Sequence, residues 1–145
     1  MNLSKTRDVK TPTRANPTDA GIDFFIPNSA GQLKILPGES ALIPSGIKVD
    51  VPANHALVAF NKSGIASKKQ LLVGACVVDC GYQGEIYINM QNVGREVQVL
   101  SPGDKIVQFA LLKLGDPVVT EVHEHDLYLE VSSRGEGALG STGTK

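Results

Sequence analysis

Two cysteines, Cys76 and Cys80, are all that the chain carries, too few for a disulfide framework. Without partner ligands nearby they also make a poor metal site, and they are expected as small buried residues. Charge of one sign is missing too: 14 Lys and Arg stand against 15 Asp and Glu, a net charge of -1. That balance excludes a broad surface for nucleic acid of the kind a phosphate backbone attracts. No apolar run approaches the roughly 20 residues that cross a bilayer. Residues 1–7 lead into no apolar signal core, so no membrane association and a cytoplasmic protein are expected. At 145 residues there is room for one domain and none for a second. What is present, 41% hydrophobic against 20% charged residues, suits a compact globular fold.

Short apolar runs, punctuated by glycine and proline, fill most of the chain. Prolines extend residues 11–18, and a strand is expected at 19–27, interrupted by Gly21 where backbone approaches closely. Further strands are expected at 32–36, 41–44, 47–51, 55–60, 97–100, 106–114 and 118–122. Residues 71–78 read as one buried strand, and residues 85–91 alternate polar and apolar with period two. Punctuation this regular predicts an all-β sandwich or barrel. One short helix is expected at 63–70, with Ser63 as its N-cap and lysines in its last turn. From residue 132 the chain turns polar and glycine-rich. Residues 1–131 are therefore expected as the folded domain and 132–145 as a flexible C-terminal arm.

The turn Val78-Asp79-Cys80-Gly81-Tyr82-Gln83-Gly84-Glu85 lies between two apolar runs and is expected at a hairpin tip. A carboxylate beside a rigid ring suits a general base next to a sugar platform, while Asp79 and Gly81 equally suit an ordinary turn. The expected helix start after Lys62 is either a preformed anion site or a solvated turn. Gly135, Gly137 and Gly140 spell G-x-G-x-x-G, but without the helix and ribose-binding acid of a dinucleotide fold. That segment, with Arg134 and its hydroxyls, either wraps a phosphate chain or is a plain terminus. In His123-Glu124-His125-Asp126 the imidazoles would face one way on a strand. No third ligand is placed nearby, so a solvated loop is expected.

Taken together, the stretches resemble the trimeric dUTPase family, the dUTP diphosphatases. The resemblance rests on Asp19-Ala20-Gly21-Ile22-Asp23-Phe24, Lys62-Ser63-Gly64-Ile65-Ala66, the Asp79 turn, Gly103-Asp104-Lys105-Ile106-Val107-Gln108 and the segment from Arg134, in that order. It implies an all-β, jelly-roll-like barrel, a homotrimer with active sites at subunit interfaces, and an arm closing over a site. It implies dUTP as substrate, hydrolysed with Mg²⁺ to dUMP and pyrophosphate, which limits uracil in DNA and supplies dUMP for thymidylate synthesis. By the same resemblance Asp79 is the base that activates water, and Val78, Tyr82 and Leu139 contact base and sugar. Lys62, Ser63, Gly64, Gln108, Arg134, Gly140, Ser141 and Thr142 would hold phosphates. Asp23 would act on the ion through water, with no direct protein ligand.

Lys62 and Lys105 stand where the family commonly has arginine, keeping charge but losing the bidentate fork. Val73 stands where many members carry the hairpin asparagine, and Gly81 where many carry an acid. Leu139 replaces the usual aromatic of the arm, with Ala138 in place of a glycine, so weaker closure is expected. Two other functions are kept in view: a catalytically idle member that binds nucleotide as a regulator, and a dCTP deaminase. The deaminases fit less well, because the chain has no tryptophan and no counterpart of their glutamate motif.

Overall fold

The computed structural model describes residues 1–115 and 118–137. The chain divides into two compact units, residues 1–115 and 116–145. Among the described residues, the first unit carries, in order, β1 (Asn2–Lys5), β2 (Ile22–Phe25), β3 (Leu33–Ile35), β4 (Ser40–Pro44), β5 (Ile47–Asp50), β6 (His55–Phe60) and α1 (Ser63–Lys69). There follow β7 (Leu71–Val73), β8 (Val77–Asp79), β9 (Tyr87–Asn92), β10 (Gln98–Leu100) and β11 (Lys105–Lys113). The four-stranded sheet runs β2-β11-β6-β8 and the three-stranded sheet β4-β9-β7, with the pairs β1-β5 and β10-β3 beside them. Every pairing is antiparallel.

Period-two patterning sets the faces of these strands. Ile47 and Val49 of β5 point inward while Lys48 and Asp50 point out, and Ile88, Met90 and Asn92 form the inner row of β9. The core is mostly aliphatic, with Leu57, Leu71, Leu100, Ile106 and Val107 among its fully buried side chains. Each stabilises the fold by roughly 1.5–3 kcal/mol relative to exposure. Phe24 and Phe109 meet across β2 and β11 with ring centroids 4.4 Å apart, tilted by 45°. In this unit the expected all-β, jelly-roll-like arrangement with one short helix is present.

Several expectations change. The run 71–78 is two strands: β7 pairs with β9, whereas β8 pairs with β6 in the other sheet. The switch falls at Gly74, where a Cβ would lie 2.0 Å from Asn89 Oδ1, and at Cys76, whose carbonyl already accepts the Ala59 amide at 2.7 Å. The Asp79 turn is consequently no hairpin tip but the link by which the chain crosses between sheets. The cysteines were expected buried, but Cys80 is exposed in the Asp79 turn, and Cys76, in the link between β7 and β8, is only half-buried against the edge of the core. β1 was not expected: all four of its residues are exposed, so only its pairing with β5 reveals it. Residues 118–122 form no strand, with Val118 and Val119 about as exposed as in an open chain. The strand expected at 19–27 is not interrupted at Gly21 but starts after it, since β2 runs from Ile22 to Phe25.

In the second unit, Glu124–Asp126 form one 3₁₀ turn. The rings of His123 and His125 stack at 5.5 Å, and no group of three or more metal-ligating side chains occurs among the described residues. No helix among the described residues is long and apolar enough to cross a membrane.

Candidate functional site

A pocket of about 280 Å³ opens beside the crossing turn, lined by Leu42, Ala75, Val77, Val78, Asp79, Tyr82, Ile86 and Tyr87. Asp79, the last residue of β8, lies opposite Ala56 of β6 and carries its exposed carboxylate at the pocket wall. Gly81 has φ of +89°, a left-handed conformation that glycine adopts without strain and that lets the chain reverse here. Tyr82 is held at backbone and side chain: its backbone amide donates to the Asp79 carbonyl at 3.2 Å, and its hydroxyl, at the far end of the ring, donates to the Glu85 carbonyl at 2.9 Å. Gly84 lies against that ring, and a Cβ there would sit 2.3 Å from the Tyr82 hydroxyl oxygen. An acid and an aromatic thus share one small apolar pocket, and Val78 is beside them.

A second cluster forms where β2, β11 and β6 run side by side. Gln108 lies opposite Asp23 on one flank and opposite Phe60 on the other. Its amide donates to the Asn61 carbonyl at 2.9 Å, and Gly21 makes room for it, since a Cβ there would lie 2.2 Å from Gln108 Oε1. This is the close approach expected of Gly21. The Asp23 carboxylate, 6% exposed, accepts Lys105 Nζ at 3.0 Å and, on its other oxygen, Lys62 Nζ. Burial pushes the Asp23 carboxyl upward, but the hydrogen bonds and charges of Lys62 and Lys105 outweigh it and hold the group below the ordinary carboxylate value. One anion therefore holds two cations, and the cluster keeps a net positive charge. Lys105 belongs to it although the resemblance gave it no role.

The helix start differs from expectation. Lys62 occupies the N-cap position, Ser63 is the first helical residue, and no side chain caps the turn. The amides that follow, at Ser63 and Gly64, are on an exposed surface, with nothing within 4 Å of a Cβ at Gly64. The two clusters do not meet within the chain. Asp79 is level with Ala56 and Gln108 with Phe60, on opposite sides of β6. Four residues along a strand and two strand spacings across amount to roughly 16 Å.

Arg134 is exposed and donates from Nε to the Gly137 carbonyl at 2.9 Å, within a turn of the second unit. Leu139, Gly140, Ser141 and Thr142 lie outside the described residues. Sequence reasoning also missed an ion pair of the first unit. The Arg7 guanidinium grips the Glu85 carboxylate through Nε at 2.8 Å and Nη2 at 3.2 Å, across 78 positions of sequence. This pairing, helped by the Gly46 amide, outweighs the upward pull of burial and holds the Glu85 carboxyl below its ordinary value. No local signal could have revealed a pair so distant.

Fold and site define an all-β protein with an acid-bearing apolar pocket and a separate cationic cluster, the parts that handling a phosphorylated organic molecule calls for. The dUTPase family model matches residues 7–143. A deoxyuridine 5'-triphosphate nucleotidohydrolase of Gloeobacter violaceus is 36% identical over 134 residues, covering 91% of this chain and 88% of its own. One from Mycobacterium sp. (strain JLS) is 33% identical, covering 97% and 92%. Among solved structures, the dUTPase of Staphylococcus bacteriophage 80alpha with dUPNHPP is 25% identical with a TM-score of 0.85, covering 98% of this chain and 97% of that one. A mutant dUTPase from phage phi11 of S. aureus, described with a structural Mg(II) ion, shares the fold at 23% identity and a TM-score of 0.76, covering 85% and 96%. The chain belongs to the dUTPase family.

Proposed function

We propose that this protein hydrolyses dUTP to dUMP and pyrophosphate, with Asp79 as the base. The observation that carries the reading is the shared pocket of Asp79 and Tyr82 in a chain of this family. Asp79 takes a proton from a water whose oxygen attacks the α-phosphorus. The bond from that phosphorus to the bridging oxygen breaks, and pyrophosphate leaves. Tyr82 lies against the deoxyribose and leaves no space for a 2′-hydroxyl. Backbone around Val78 pairs with the uracil edge, so cytosine would leave groups unpaired.

Lys62, Ser63, Gly64 and Gln108 hold phosphate oxygens, and Arg134, Gly140, Ser141 and Thr142 add donors from the C-terminal segment, with Leu139 over the base. Residues 1–131 act as the enzyme domain and 132–145 as the closing arm. The roughly 16 Å between the two clusters suits a site shared between subunits of the homotrimer expected from the family, in which one subunit supplies Asp79 and Tyr82 and another the phosphate donors. The donor set fits Mg²⁺ carried by the triphosphate and not a protein cage. No group of three or more acidic, imidazole or thiol side chains that could hold a metal occurs among the described residues, and each Asp23 oxygen, already bonded to a lysine, keeps a lone pair for an ion-bound water. Such an ion supplies charge neutralisation at the phosphate oxygens. The protein acts in the cytoplasm on free nucleotide. An idle regulator is not favoured, since Asp79 is in place, and neither is a deaminase.

Incubation with dUTP, dCTP, dTTP and UTP, with and without Mg²⁺, tests this by pyrophosphate release. Release from dUTP alone is expected. No release from any of the four, or equal release from all, overturns it.

A further inference from the structure

We propose that Arg7 and Glu85 are positioning residues for Tyr82, and through it set the discrimination between deoxyribose and ribose. The inference rests on Tyr82 being the sugar platform and adds to that reading the groups that hold the platform still. Glu85 is not among the residues lining the 280 Å³ pocket, so its carboxylate acts from behind the site. It is the junction of three segments: Arg7 binds it with both prongs of the guanidinium, and the Gly46 amide donates to Oε1 at 2.7 Å.

Those segments are themselves tied together. The Thr6 amide donates to the Gly46 carbonyl at 2.8 Å, the Ser45 amide to the Ile86 carbonyl at 3.0 Å, and the Ile86 amide to the Ile47 carbonyl at 2.9 Å. Gly46 has φ of +72°, and a Cβ there would lie 3.0 Å from the Arg7 Cβ, so the Arg7 segment and the Ser45-Gly46 turn are in direct contact. With its side chain held on that face, Glu85 has little freedom to rotate. Its carbonyl is the group that receives the Tyr82 hydroxyl at 2.9 Å. The chain of contacts thus runs from Arg7 through Glu85 to the phenol, and the ring angle over the pocket follows from it. A sugar platform discriminates against one added oxygen only if the ring cannot tip away, so loosening either end should admit ribose. The Glu85 side chain is 13% exposed and charge-assisted on three donors, unlike an ordinary surface pair.

The test is kcat and KM on dUTP and UTP for the full-length protein and its variants. Arg7→Gln is expected to lower the dUTP:UTP ratio of kcat/KM by about fivefold, mostly through a lower KM for UTP, with kcat on dUTP changed by less than about twofold. Glu85→Gln, which keeps an oxygen for the Gly46 amide, should act in the same direction. Arg7→Lys should fall between, since it keeps charge without the fork. Tyr82→Phe removes the hydroxyl at the end of the chain, and adding Arg7→Gln to it should lower the ratio no further. If Tyr82→Ala lowers the ratio but Arg7→Gln and Glu85→Gln leave it at the wild-type value, the inference is wrong while the platform reading stands. Equal loss on both nucleotides in Arg7→Gln, or additive losses in the double variant, would also overturn it. A Tyr82→Ala variant with an unchanged ratio removes the platform reading, and the inference with it.

Discussion

Replacing Asp23 by asparagine keeps the shape of the side chain but removes the charge that holds Lys62 and Lys105. One amide oxygen can still accept one ammonium. The amide NH₂ then faces the other, donor against donor, and forces it away. A fully buried pair broken in this way loses about 3–5 kcal/mol, and an exposed one about 0–1. Here the carboxylate is 6% exposed, but the lysines are 25% and 42% exposed and can turn to water. An intermediate loss of about 1.5–3 kcal/mol is expected, read as a shift in the urea midpoint at neutral pH. Because the folded carboxyl lies below its unfolded value, its stabilisation is fully present above the unfolded pKa of about 3.9 and is lost as pH falls through the folded one. The gap between wild type and Asp23→Asn should therefore be constant above about pH 5 and shrink on acidification below about pH 4. A gap below about 0.5 kcal/mol, or one unchanged down to about pH 2.5, would refute the account of Asp23 as a buried anion shared by two lysines.

Asp79→Asn should lower kcat on dUTP by about 10²–10⁴ while leaving the Kd of a non-hydrolysable analogue within about threefold, measured by calorimetry. Equal loss of binding and rate would instead mark a structural aspartate. Gly21→Ala should lower stability by about 1–3 kcal/mol in thermal melts, because Gln108 Cβ itself lies 2.9 Å from the new methyl and cannot swing clear. A melting temperature equal to wild type would contradict that packing. Removing residues 134–145 should slow dUTP turnover at least about tenfold yet preserve dUMP binding, since an arm of charge-assisted donors acts on phosphates that dUMP lacks. Full activity after truncation would show the arm to be idle.

Local pattern carried most of the strand reading. Ile47 to Asp50 and Tyr87 to Asn92 alternate because each strand has one face on the core, and that requirement is written residue by residue. Gly21 and Gly81 were legible for a similar reason, since lacking a Cβ matters wherever it is placed. The family motifs named Asp79, Tyr82, Lys62 and Gln108, and the first two do share a pocket. The run 71–78 misled because continuous apolarity has no period, so nothing in it marks where a chain leaves one sheet for another. Val118 to Val122 misled the same way: apolar composition alone cannot supply a pairing strand, and these residues stand exposed.

The sequence alone determined which residues of the alternating strands face inward, where glycine-marked turns fall, and which acid and aromatic stand together in the Asp79 turn, because these depend on neighbours one to four positions away. Only the tertiary structure decided which strands pair, and hence every contact between distant segments. Asp23 gathers Lys62 and Lys105 because β2, β11 and the end of β6 lie side by side. Arg7 reaches Glu85 across 78 positions because the N-terminal segment packs on the Ser45-Gly46 turn. Asp79 and Gln108 stay apart because they flank opposite sides of β6. Strand pairing is settled by how the whole set of apolar faces packs at once, and no local stretch holds that information.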